Sequence, residues 1–348
     1  MITVRTTHAL SLRQQDWPGQ DRMLFENGCR GGDILEGGTY AEGLRPTTLQ
    51  NTIKGYGRFL CVLQQRDPGS LALSPAERVT PSCMRLYLQT LLEQGNTNNT
   101  ILARIMELRS ALRVMYPERE FVWLTKPGGA SIRKLLPVSR NLVPLFDVAE
   151  LSRWGHDLMD KGLCIPASRR AELFRNGLLI AMLADRAPRQ RSLAQLRVGH
   201  GIRRNGSDYT LAFSAAETKS KRRLEYGLHP SLTPRIEHYL NVERPRLLAG
   251  QVHDWFWVNR QGNRLAAIGI DGVIRRASKA RFGLSYGTHS FRYALATAGM
   301  IANPSTPELV AAVLGNSPAV AEKYYVLGGQ VEAARSLHAT LAHFGRSD

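Results

Sequence analysis

The chain has 348 residues and a mass of 38.8 kDa, with 46 Lys and Arg against 29 Asp and Glu, a formal net charge of +17 and a pI near 10.2. That is enough chain for two domains and a sizeable core, and the basic excess fits a polyanionic partner through release of phosphate counterions, a solubility surface or a ribosomal association being the plainer alternatives. No membrane or secreted protein is expected, because the apolar run near Leu178–Ala184 is too short to span a bilayer and Met1–His8 lacks an apolar stretch; nor is a metal or cofactor, because Cys29, Cys61, Cys83 and Cys164 form no ligand spacing and read as reduced thiols of a cytoplasmic protein.

Residues 1–44 are Gly-rich and irregular, an amino-terminal extension with one short helix predicted around Trp17–Phe25. A helical domain is predicted over 45–136. Its first helix, capped at Thr47 or Thr48 and running to Gln65, carries Ile53, Tyr56, Phe59, Leu60 and Leu63 on one stripe. Further helices are predicted over Pro81–Leu92 and Thr100–Met115, with a short one near Ala130–Leu136. Residues 137–144 have prolines at their flanks and no period, and read as a linker.

The remainder, 145–348, is predicted as a larger α+β domain. Helices are expected at 147–160, 167–184, 231–247, 266–280, 289–301, 306–314 and 318–325, with a carboxy-terminal helix over 329–344. A short helical stretch ends at Leu193–Leu196. Strands are expected at Tyr209–Ser214, Arg223–Leu228 and Trp255–Val258, where β-formers alternate with polar residues. The predicted class is mainly α with a small antiparallel sheet.

Chemistry concentrates near the end. Gly287-Thr288-His289-Ser290-Phe291-Arg292 places a turn and a helix start just before a His and an Arg three residues apart, on one helix face. Leu314-Gly315-Asn316 follows, and Tyr325 stands nine residues after Asn316. Attack of a hydroxyl on a phosphodiester needs donors that grip the pentacoordinate phosphorus, a proton for the leaving alkoxide and a nucleophile held in line. Arginine suits the first task, since its planar fork stays charged and meets two oxygens.

This constellation resembles the tyrosine recombinase family, the phage integrases and Xer/Cre-type enzymes. The family's second box reads H-x-L-R-H-[ST]-x-A-[ST] and is matched by His289-Ser-Phe-Arg292-Tyr293-Ala-Leu-Ala296-Thr297; its L-G-H and tyrosine are matched by Leu314-Gly315-Asn316 and Tyr325. The family's first arginine pattern, R-x-x-[ED]-L-x-x-L, fits Arg189-Gln-Arg-Ser192-Leu193-Ala-Gln-Leu196, with Ser192 in place of the acidic residue; Arg186 and Arg191 lack the leucine offsets. The family's hairpin lysine falls on Lys219, with Lys221 as the second choice. The resemblance covers roughly residues 46–345.

That resemblance implies a C-shaped clamp on double-stranded DNA. It also implies roles: Tyr325 attacks to give a 3′-phosphotyrosine, Arg189 and Arg292 grip the non-bridging oxygens, Lys219 protonates the leaving 5′-oxygen, and His289 aids proton transfer or orients the phosphate. Asn316 replaces the usual His or Trp and can donate a hydrogen bond but not act as a general acid. Tyr324, adjacent to Tyr325, points about 100° away on a helix. The amphipathic stretch Gln330–Phe344 reads as packing on its own domain or, as the resemblance implies, docking in a neighbouring protomer of a DNA-bound homo-tetramer, with accessory DNA-bending or directionality proteins as further partners.

Each residue has a plainer reading. Taken alone, Tyr325 reads better as an ordinary half-buried tyrosine; the arginines of 186–191 also read as a solvated turn, Lys219 as a simple phosphate contact and Asn316 as a turn former. Lys54, Arg58, Arg104, Arg109, Arg113 and Lys221 are candidate DNA contacts, with a solvated face as the alternative. Trp255 and Trp257, two apart on a strand, are expected to pack on one side. The function expected is a site-specific recombinase or integrase of a mobile element. A type IB-like topoisomerase and a catalytically inactive DNA-binding relative are the competing readings.

Overall fold

Proline opens two of the long helices in the amino-terminal half, at the position where a missing N–H costs nothing. The computed structural model describes residues 10–31, 38–137, 147–218, 223–303 and 306–315, and the chain divides into two compact units, Met1–Asn141 and Leu142–Asp348. Expectations for 138–146, Lys219, Lys221, Asn316, Tyr324, Tyr325 and the helices at 318–325 and 329–344 lie outside the described residues.

The first unit contains α1 (Gly19–Cys29), α2 (Pro46–Arg66), α3 (Pro81–Glu93) and α4 (Asn98–Met115). Thr80 and Thr97 cap α3 and α4 by accepting from the N–H groups of Cys83 and Thr100. The cap expected at Thr47 or Thr48 is not used: Pro46 presets the first helical φ, so α2 begins there with Arg45 as its N-cap residue. Tyr56, Phe59, Leu60 and Leu63 of α2 meet Tyr87 and Leu91 of α3 and Ile105, Leu108 and Leu112 of α4 in one core. Trp17, Phe25 and Ala41 fill the same core, so the described part of residues 1–44 belongs to this unit. Trp17 packs edge-on against Phe25 at 5.3 Å and Tyr56 at 4.9 Å.

A buried ion pair ties α1 to this core. Arg78, on the one-turn helix Pro75–Arg78, donates to Asp21 at 2.5 Å, and the Tyr56 hydroxyl donates to the same carboxylate oxygen at 2.7 Å. The guanidinium also donates to the carbonyls of Ser70 and Leu71. Both side chains of the pair are 0% exposed, and these bonds compensate the loss of water.

The second unit begins with α5 (Val148–Leu163) and α6 (Ala167–Arg186), which pack closely along their length. The close approach needs glycine: a Cβ on Gly177 would lie 2.6 Å from the Gly155 carbonyl oxygen. After the short α7 (Gln190–Ala194) come β1 (Ile202–Asn205), β2 (Asp208–Phe213) and β3 (Leu224–Gly227), an antiparallel sheet in the order 1-2-3. Leu211 pairs with Ile202 on one side and Tyr226 on the other. β1 was not expected, because Ile-Arg-Arg-Asn buries only Ile202 and shows no alternation.

Two predicted elements differ. The helix expected at 231–247 is interrupted: α8 (Thr233–His238) passes through a π turn at Tyr239–Glu243 into α9 (Arg244–Leu248). Pro245 cannot donate back to the preceding turn and its ring crowds that turn's carbonyl, which a wider turn accommodates. The strand expected at Trp255–Val258 forms only isolated bridges, Arg197 to Trp255 and Val258 to Arg264. Phe256, Trp257 and Val258 are all buried, so no alternation exists there. The two tryptophans also part company: Trp257 is in the core, whereas Trp255 lies between the guanidinium groups of Arg197 and Arg264, 4.2 and 4.1 Å from its ring.

The unit is completed by α10 (Ala267–Phe282), α11 (Thr288–Ala302) and α12 (Pro307–Leu314). Among the described residues no helix is long and apolar enough to cross a membrane.

Candidate active site

Arg189 immediately precedes α7, with its backbone extended, and its Nη2 donates to the Gly315 carbonyl at 2.9 Å. Arg292 lies in α11 and is only 5% exposed. Its Nη2 donates to the Leu314 carbonyl at 2.7 Å and its Nη1 to the Ala187 carbonyl at 2.6 Å. Two arginines distant in sequence therefore grip adjacent carbonyls where α12 ends. Those carbonyls lack helical partners and carry the negative end of the helix dipole, which favours guanidinium donors.

Gly315 makes the turn possible. It takes φ +59°, a left-handed conformation, and a Cβ there would lie 2.7 Å from Leu224 Cδ1. The glycine of Leu314-Gly315-Asn316 thus has two physical reasons: the end of α12 and the close approach of β3.

The three arginines near α7 have different surroundings. Arg186 donates to the Gly227 carbonyl at 2.8 Å and pairs with Asp185, which also accepts from the His229 N–H. It secures the exit of β3. Arg191 is exposed. Arg189, the residue picked by its leucine offsets, is the one that meets Arg292 at the α12 turn, and Leu193 and Leu196 are both buried beneath it in the core.

Ser192, standing where an acidic residue was expected, is buried and donates to the Glu217 carbonyl at 2.9 Å. Glu217 in turn caps the short turn before it, accepting from the Ser214 N–H at 2.8 Å and its hydroxyl at 2.7 Å. The turn carrying Arg189 is thereby tied to the chain that leads into residues 219–222. Gln190 donates to the Ala267 carbonyl and anchors the other side of α7.

His289 sits in the first turn of α11, exposed, with its ring 5.5 Å from that of Tyr293. Asp271 of α10 accepts from the Thr288 N–H, placing a carboxylate at the positive end of α11. The described structure thus brings together Arg189, Arg292 and the turn before Asn316. Among the described residues no group of three His, Cys, Asp or Glu side chains is placed to hold a metal.

Tyr226 escaped the sequence reading. It lines a small cavity with Arg189, Ser192, Phe213, Arg292 and Leu314. Burial pushes its phenol above the ordinary value, while Arg292 and Arg189 pull it down. Nothing in the local sequence marks it, since Leu-Glu-Tyr-Gly reads only as a strand.

In the first unit, Arg58 and Arg104 are half-buried and share Glu107: Arg104 donates to both its carboxylate oxygens, at 2.9 and 2.7 Å, and Arg58 lies 3.7 Å away. Lys54 is exposed. Arg109 donates to the Glu120 carbonyl and Arg113 lies over the Tyr40 ring.

Two helical and mixed units, the second built around paired arginines at the end of a helix, define the class: the chain has the fold of the tyrosine recombinases. It is similar to the XerH site-specific recombinase in a post-cleavage complex with palindromic difH substrate, with 16% identity, a TM-score of 0.59, and coverage of 92% of this chain and 95% of that one. The pre-cleavage XerH complex with difH gives 15% identity and a TM-score of 0.56, covering 90% and 94%. The Tn1549 transposon integrase in complex with transposon right end DNA gives 14% identity and a TM-score of 0.55, covering 90% and 98%. No family model matches the chain, and no curated protein matches it.

Proposed function

We propose that this protein is a site-specific recombinase or integrase of a mobile element, which cleaves and rejoins double-stranded DNA through a 3′-phosphotyrosine. One observation carries the reading: Arg189 and Arg292 converge on Leu314 and Gly315, the turn that leads into Asn316 and, nine residues later, Tyr325. The fold's likeness to DNA-bound recombinases and the net charge of +17 support the same reading.

In this mechanism Arg189 and Arg292 hold the non-bridging oxygens of the scissile phosphate and stabilise the charge that builds in the pentacoordinate state. The Tyr325 oxygen forms a bond to phosphorus as the bond to the 5′-oxygen breaks. Lys219 gives that oxygen a proton, with Lys221 as the alternate, and His289 assists proton movement or orientation. Asn316 donates a hydrogen bond to phosphate. One phosphoester replaces another, so rejoining needs no ATP. Lys54, Arg58 and Arg104 contact DNA phosphates in the first unit, and strand exchange takes place in a homo-tetramer on DNA, aided by accessory DNA-bending or directionality proteins.

The test is covalent capture. Wild-type protein, incubated with a pool of nicked random-sequence duplexes, is expected to select a site and form an adduct that survives SDS. Tyr325→Phe forms none, and peptide mapping places the link on Tyr325. Absence of any adduct with wild type removes the reading; loss of the adduct in Tyr324→Phe instead reassigns the nucleophile.

A further inference from the structure

We propose that the Tyr226 hydroxyl is a third hydrogen-bond donor to the phosphate held by Arg189 and Arg292, a role that rests on the proposed function. The argument begins with the strand. In β3 the residues alternate, so Leu224 and Tyr226 turn toward the core while Glu225 and Gly227 are exposed. The Tyr226 ring is held edge-on by Phe213 at 6.4 Å. This leaves the hydroxyl at the α12 turn: a Cβ built on Gly315 would lie 3.3 Å from it. Both guanidinium groups act on it electrostatically, and all three side chains line one cavity.

Among the described residues the hydroxyl makes no hydrogen bond. A phenol beside two cations presents its oxygen lone pairs to them and directs its proton outward. That proton is suited to an anion held by the same cations. The donor is neutral and rigidly mounted, with a ring fixed by packing, so little reorganisation is needed when charge builds on phosphorus. It also complements Asn316, the other neutral donor of the proposed site.

Single-turnover adduct formation on the captured duplex tests this, with wild type and Tyr226→Phe compared on two substrates. One carries the normal scissile phosphate, and the other a methylphosphonate resolved into its two diastereomers, each lacking one non-bridging oxygen. Tyr226→Phe keeps the ring and is expected to slow adduct formation about tenfold on phosphate, the scale of a lost hydrogen bond to a charged group. The defect should vanish on one diastereomer, because the oxygen that accepts the bond is gone. Equal rates for the two proteins on phosphate, or a defect that persists on both diastereomers, overturns the inference while leaving the recombinase reading standing. A wild type that forms no adduct removes both.

Discussion

Gly315 shows how one residue governs the candidate site. Its positive φ costs any residue with a Cβ about 1 kcal/mol, and the added carbon would meet Leu224 Cδ1 at 2.7 Å and crowd the Tyr226 hydroxyl. Because Arg189 and Arg292 both bond to this turn, relief of the clash would move their acceptors. Gly315→Ala is therefore expected to lower adduct formation at least about tenfold, the consequence of a misplacement on the order of 1 Å at a reacting centre, while the melting temperature falls only a few degrees. Single-turnover cleavage beside thermal denaturation checks this. An unchanged rate would show that the turn's geometry is not needed for chemistry.

At the level of elements, the attachment of α1 rests on a buried pair. Asp21 on α1 and Arg78 on its one-turn helix are both sealed from water, and Tyr56 of α2 completes the group. Asp21→Asn leaves the Arg78 charge without its counterion, and removal of one partner of such a pair costs roughly 3–5 kcal/mol. Denaturant unfolding of the full chain should show the transition of the first unit at lower concentration, with the second unit's transition unchanged. The double variant Asp21→Asn/Arg78→Met, which removes the stranded charge, should recover part of the loss. A stability for Asp21→Asn within about 0.5 kcal/mol of wild type, the range of an ordinary surface change, would mean that α1 is held by its aromatic contacts alone.

Across the molecule, both units bury phenols, and this sets an alkaline limit. Burial pushes Tyr239 up to about 12 in the second unit and raises Tyr56 and Tyr87 in the first. Unfolded tyrosine titrates near about 10, so above that pH the unfolded chain gives up protons that the folded chain keeps. Stability contributed by the neutral phenols is full below pH ~10 and is lost as pH rises, by roughly 1.4 kcal/mol per pH unit for each phenol. For Tyr239 the loss ends near its folded value. Cys83, pushed up to about 11 by burial, acts with the same sign from a lower pH. Melts at pH 9, 10 and 11 should show a progressive decline, and Tyr239→Phe should flatten it in the second unit; a flat profile in wild type would contradict the burial argument.

Much of this was legible in the chain because it is local. Helical periodicity marked α2 to α6, and proline and threonine marked the starts of α2, α3 and α4 to within a few residues. The leucines at 193 and 196, the offsets of the family's pattern after Arg189, are both buried in the core. What the local pattern lacked, it could not reveal. β1 has one buried residue, the π turn answers a proline within a continuous helical period, and Tyr226 sits in a strand with no distinguishing neighbour. The sequence by itself determined which segments would coil and that Arg189 and Arg292 carry permanently charged guanidinium forks. Only the tertiary structure decided that Arg189, Arg292 and Tyr226 meet at one helix end, because that meeting depends on contacts between α6, α11, α12 and β3, and long-range packing leaves no periodic trace in any one of them.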